Sequence, residues 1–121
     1  MSANKQKTSA SKRVINAFFY SIAGLKSCYQ EEQAFRQELL LCLILSPVPF
    51  LISIRNSDRA LMIFSLFLIL IVELINTGIE SVADRISTDH HELVKKAKDV
   101  GSAAVLLTII ATGIAWLLIL I

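Results

Sequence analysis

Charge is missing where a soluble chain would need it. Thirteen residues from Ala60 to Val72, and 22 from Val100 to Ile121, include no Asp, Glu, Lys or Arg. Acids are absent from residues 1 to 26, which hold Lys5, Lys7, Lys12, Arg13 and Lys26. Aromatic residues make up 7% of a chain that is 55% hydrophobic, and the mean hydropathy is +0.63. A soluble domain of 121 residues lacks the interior volume to hide so much apolar surface. A soluble globular fold is therefore excluded, and one membrane domain is expected over residues 1–121. Cys28 and Cys42 are the two cysteines, without metal-type spacing, and read as reduced and structurally incidental. Neither GxxxxGK[ST] nor a kinase-type Gly-rich loop occurs, so any work on nucleotide phosphates falls outside the common folds. The opening MSANKQKTSASKR is not followed by an apolar segment with a small-residue cleavage site. It reads as a flexible lead-in over 1–12 rather than a signal peptide.

What is present is an all-α pattern with three apolar segments. A span takes about 20 residues at about 1.5 Å each. Val100–Ile121 meets that length unaided, Ala60 onward meets it when Glu73 is counted inside, and LLLCLILSPVPFLISI meets it when started near Phe35. Spans are expected over about 35–54, 60–83 and 98–121. Pro47 and Pro49 should break the first near its outer end. Ahead of them, Ile15, Phe18, Ile22, Leu25 and Tyr29 recur at alternating steps of three and four, which predicts a surface helix over 13–30 in the membrane interface. The alternative is that its apolar face packs on its own bundle. Arg85, Lys95, Lys96 and Lys98 between the second and third spans outnumber Arg55 and Arg59 between the first and second. The basic N-terminus adds to that bias, placing the N-terminus in the cytoplasm and the C-terminus on the periplasmic side. Small residues at Ala97, Gly101, Ala104, Thr108, Ala111 and Ala115 let helices approach closely, and a homo-oligomer is expected because three helices shelter few polar positions.

The second apolar run ends in ELINTGIESVADR. On a helix, Glu73, Asn76, Thr77, Glu80 and Asp84 share one stripe, away from Leu74, Ile75 and Val82. Carboxylates are costly in a bilayer core, so such a stripe reads as a polar site open to water at one end. A single one could be a protonated structural hydrogen-bonder, but a row of them is not explained that way. Glu73 lies about 10 Å deeper than Glu80 along the axis. The deeper carboxylate suits a general base, and the shallower one suits a hard cation such as Mg²⁺ with phosphate beside it.

Two further clusters sit at the same end. Glu31, Glu32, Arg36, Gln37 and Glu38 open the first span, and Glu32–Arg36 has the spacing of an ordinary helix salt bridge. Lys95, Lys96, Lys98 and Asp99 open the third. Lys95 and Lys96 are explained by orientation and snorkelling, whereas Lys98 and Asp99 beside Gly101 are candidates for a phosphate contact. His90, His91 and Glu92 raise the option of a transition metal, but adjacent histidines in one short loop point apart.

EEQAFRQE (31–38), VELINTGIESVADRI (72–86) and HELVKKAKDVGSAAVL (91–106) together resemble the prokaryotic diacylglycerol kinase family, along nearly the whole chain from Arg13. The resemblance implies a homotrimer, with three spans and a surface helix per subunit and active sites shared between neighbours. It implies MgATP as phosphoryl donor and a lipid alcohol as acceptor, with no nucleic-acid partner. By motif, Glu73 would be the catalytic base, and Glu80 and Glu32 would be ligands of the nucleotide-associated Mg²⁺. Asn76 would orient the site. Arg13, Tyr20, Asp89, His90, His91, Lys98 and Asp99 would contact ATP. Arg13, Ala34, Phe35, Arg36, Gln37, Glu38, Glu73, Ser102 and Trp116 would contact the lipid. The chain departs from the commonest family pattern at His90, where tyrosine is frequent, and at Ala23, where lysine can occur.

The activity this implies is phosphorylation of 1,2-diacylglycerol to phosphatidic acid at the cytoplasmic face of a bacterial inner membrane. Related undecaprenol kinases tend to carry FRIH or LRIH and AAGAV where this chain has FRQE and GSAAV, which favours diacylglycerol. From another class, a small proton-coupled carrier would also use intramembrane carboxylates, but it leaves Glu32, Lys98 and Asp99 idle.

Overall fold

The computed structural model describes residues 9–86 and 91–121. Asp89 and His90, expected to contact the nucleotide, lie outside the described residues. Among the described residues five helices follow in order: α1 (Ala10–Glu31), α2 (Gln33–Leu45), α3 (Val48–Leu51), α4 (Asn56–Ile86) and α5 (Glu92–Leu120). Gln33–Leu51, α4 and α5 are long and apolar enough to cross a membrane. The fold class is thus all-α, with three membrane-length helical segments preceded by α1.

Ser9 caps α1 by accepting a hydrogen bond from the Lys12 backbone N–H at 3.3 Å. The helix ends because Glu32 turns extended, at φ −112° and ψ 109°, while its N–H still bonds the Cys28 carbonyl at 2.9 Å. Acids at a helix C-terminus oppose the macrodipole, whereas at an N-terminus they align with it. Glu31 and Glu32 therefore favour a break at this point and the start of α2. Arg36 completes it, with Nη1 donating to the carbonyls of Tyr29 (2.8 Å) and Gln30 (3.1 Å). This corrects the expected Glu32–Arg36 salt bridge: the guanidinium serves the unsatisfied carbonyls at the end of α1 instead. The apolar face of α1 stays open within the subunit, with Ile15, Phe18, Ile22, Leu25 and Tyr29 all exposed, so it does not pack on its own bundle.

The prolines act as the sequence predicts. The helix stops at Leu45, Ser46 and Pro47 turn, and α3 restarts with Pro49 in its first turn, where a missing N–H costs little. Arg59 then gathers the outer turn, donating to the carbonyls of Pro49 (2.6 Å), Ile52 (3.4 Å) and Ile54 (3.5 Å) and to Asn56 Oδ1.

α4 and α5 make the principal helix pair. Met62, Leu66 and Trp116 pack with Cys42 of α2 into the core. Both cysteines are free and buried, so Cys42 fills core space rather than being incidental. Within the pair, the Trp116 indole N–H donates to Ser65 Oγ at 2.9 Å, and Ser65 Oγ donates to the Met62 carbonyl at 2.7 Å. Buried polar side chains with internal partners suit a lipid-facing bundle, which offers no water to satisfy them. The face of α5 turned to α4 is Gly101, Val105, Thr112 and Trp116, while Ala104 and Ala111 are exposed. From Gly101 the buried face follows steps of four, seven and four residues, which keeps the bulky Trp116 in the contact.

Candidate functional site

The inward face of α4 runs Met62, Ser65, Leu66, Ile69, Glu73, Asn76 and Thr77, one continuous strip that changes from apolar to polar after Ile69. Helical periodicity thus turns the acids away from lipid and onto the face already committed to the core. At 31 residues α4 is about 46 Å long, against a hydrocarbon core of about 30 Å, so its last turns reach the headgroup region. Glu73 is 6% exposed, Asn76 7%, Glu80 half-buried and Asp84 exposed, a gradient toward water.

Other helices close this strip. From α2, the Glu38 carboxyl meets that of Glu73, and Phe35 is buried one turn earlier. Glu32, at the break before α2, and Glu80 stand close enough for their charges to act on Glu73. From α1, Cys28 lies beside the Thr77 hydroxyl, and burial, with the Glu32 charge adding to it, pushes the Cys28 thiol up from its ordinary value. From α5, Gly101 faces Asn76, whose carboxamide occupies the space a Cβ would need. Asn76 Nδ2 donates to Glu80 Oε1 at 3.3 Å. One turn outward, Lys98 forms an ion pair with Asp84.

Glu32, Glu38, Glu73, Asn76 and Glu80 are therefore gathered at one end of the bundle. Lys98 reaches the rim of this group. Asp99 does not: its carboxylate pairs with Lys95 at 2.7 Å on another side of α5, as consecutive helical residues diverge by about 100°. His91 serves as the N-cap of α5, its Nδ1 accepting from the Leu93 N–H at 3.1 Å. Arg13 and Tyr20 are exposed on α1, with no side-chain hydrogen bond among the described residues. Ala34 and Gln37 point outward, and Ser102 is exposed beside Gly101. Trp116, expected to contact the lipid, is 8% exposed and bonded to Ser65, two helical turns from Glu73 along α4. The periodicity of α2 held the signal for Glu38: it shares the face of Phe35, three residues before it.

The oxygen-rich end fits a hard divalent cation of a particular kind. Glu38 Oε2 and Asn76 Oδ1 are buried without a hydrogen-bond partner among the described residues. Among the described residues, no three His, Cys, Asp or Glu side chains are arranged as a ready ligand set. Mg²⁺ typically takes one or two carboxylates and completes its shell with water and phosphate, so two glutamates suffice for it.

Residues 19–120 match the family described as prokaryotic diacylglycerol kinase. The diacylglycerol kinase of Pseudomonas aeruginosa is 46% identical over 109 residues, covering 90% of this chain and 89% of that protein. That of Haemophilus influenzae is 43% identical over 110 residues, covering 91% and 93%. The Escherichia coli K12 enzyme of that name is 42% identical over 113 residues, 93% of each. With a family match over most of its length and an acid-lined site at the end of its longest helix, the chain belongs to the prokaryotic diacylglycerol kinase family.

Proposed function

We propose that this chain transfers the γ-phosphoryl group of ATP to the free hydroxyl of 1,2-diacylglycerol, giving phosphatidic acid and ADP. The observation that carries the reading is the burial of Glu73 among Glu38, Asn76 and Glu80 at one end of the bundle, in a chain of this family. The lipid presents its hydroxyl from the apolar side, and the nucleotide arrives from the aqueous side. The hydroxyl oxygen attacks the γ-phosphorus in line, the bond to the β–γ bridging oxygen breaks, and Glu73 accepts the hydroxyl proton. Asn76 orients Glu80 through its carboxamide N–H. Glu80 and Glu32 would hold Mg²⁺, which supplies neutralisation of phosphate charge. Lys98, at the rim, contacts the nucleotide phosphates, and Ser102 the lipid. The assembly is a homotrimer with sites shared between neighbours, in the bacterial inner membrane, N-terminus cytoplasmic and C-terminus periplasmic. Exposed positions such as Arg13, Tyr20 and Asp99 are available to complete a neighbour's site in that assembly.

Purified protein incubated with radiolabelled ATP and either diacylglycerol or undecaprenol tests this directly. Label appearing in phosphatidic acid, with a much slower reaction on undecaprenol, is the expected result. Preferential labelling of undecaprenol would reassign the substrate, and labelling of neither would remove the kinase reading.

A further inference from the structure

The stripe of α4 sets two carboxylates against one ammonium. Glu80 and Asp84 are one turn apart on the same face, and both lie within electrostatic reach of Lys98 on α5. Lys98 bonds Asp84, the outer of the two. Lys95, the next lysine on α5, is occupied by Asp99 at 2.7 Å. Glu80 instead accepts a neutral hydrogen bond from Asn76 on Oε1, and no cation pairs with it among the described residues. Lys98 and Asp84 are 42% and 64% exposed, so their pair is open to exchange with solutes. Lys98 has a flexible stem and one point charge, and beside Asp84 the other carboxylate whose charge acts on it is Glu80.

We propose that Asp84 is a positioning residue that holds the Lys98 ammonium off Glu80, keeping the Glu80 carboxylate available to a divalent cation. This rests on the assignment of Glu80 as a cation ligand made above. Removing the Asp84 charge lets Lys98 fall back onto Glu80 and compete with the ion. Asp84 thus acts on the cation through Lys98 alone.

The test uses full-length protein in detergent micelles, with Mn²⁺ as a spectroscopic probe for the divalent site and non-hydrolysable ATP analogue present. Asp84→Asn is expected to weaken Mn²⁺ binding about three- to fivefold, the scale of one exposed ion pair, and to raise the Mg²⁺ needed for half-maximal rate while the maximal rate is retained. Asp84→Glu should restore binding. In Lys98→Met protein, adding Asp84→Asn should change Mn²⁺ binding no further, because no ammonium remains to move. Wild-type Mn²⁺ affinity in Asp84→Asn, or an equal loss with and without Lys98, overturns the proposal. Glu80→Gln is measured in parallel: unchanged Mn²⁺ binding there rejects the ligand assignment itself, whereas a loss there with no effect of Asp84→Asn rejects only the positioning role.

Discussion

Gly101 on α5 and Asn76 on α4 meet so closely that the Asn76 carboxamide fills the place of a Cβ on Gly101. The approach brings the two long helices together at the level where the α4 strip turns polar, and it fixes the carboxamide that donates to Glu80. Gly101→Ala must either displace Asn76 or separate the helices. Overpacking of this kind costs roughly 1–3 kcal/mol. The expected result is a lower unfolding midpoint in detergent and a loss of activity greater than the stability change explains, since the displaced group sits in the candidate site. Wild-type activity in Gly101→Ala would detach Asn76 from the reaction.

Glu73→Gln keeps the size and burial of the side chain but removes the proton acceptor. It should fold normally, bind nucleotide as before and lose about 10²–10⁴ in kcat. Glu73→Asp shortens the reach and should fall between the two. Comparing nucleotide binding by calorimetry with single-turnover lipid phosphorylation separates loss of the base from loss of the site.

The grouping on α4 was legible in the sequence because a helical period is intrinsic to a chain. Glu73, Asn76, Thr77 and Glu80 fall on one stripe whatever packs on it, and they do share one inward face. The break at Pro47 and Pro49 was legible for the same local reason. What could not be read were the partners of long cationic side chains. Arg36 has an acid four residues before it, yet it bonds the carbonyls of Tyr29 and Gln30, acceptors that exist only once α1 has ended. Asp99 looked like a companion of Lys98, but side-chain direction on a helix sends it to Lys95. That Trp116 faces inward with Gly101, Val105 and Thr112 shows only in the packed pair.

Arg59 offers a test of the outer turn that leaves the carboxylates alone. Its guanidinium bonds the carbonyls of Pro49, Ile52 and Ile54, spread over six residues of chain. A lysine has one point charge and cannot reach all three with comparable geometry. Arg59→Lys should lower stability by about 1–2 kcal/mol, and Arg59→Met by more, since part-buried carbonyls then lose their donor. Nucleotide affinity of the folded fraction should be unchanged, as measured by titration below the unfolding temperature.

Trp116 separates two readings of one residue. As a lipid contact, its replacement should raise the KM for diacylglycerol and leave the fold intact. As a core residue, its indole ring packs with Met62 and Leu66 while its N–H satisfies Ser65. Trp116→Phe keeps a large apolar ring and deletes the N–H, so it removes the hydrogen bond with limited loss of packing. Intramembrane hydrogen bonds of this type contribute about 1 kcal/mol or less. Ser65 still donates to Met62, so the remaining hydroxyl is not wholly orphaned, and the loss should sit near that value. Ser65→Ala should lower stability by a similar amount, and the double variant by little more than either alone, because the two changes delete the same bond. Unfolding curves of the four proteins in one detergent give that coupling. A normal KM for diacylglycerol in Trp116→Phe then assigns the tryptophan to the helix pair, and a raised KM without the coupling returns it to the lipid.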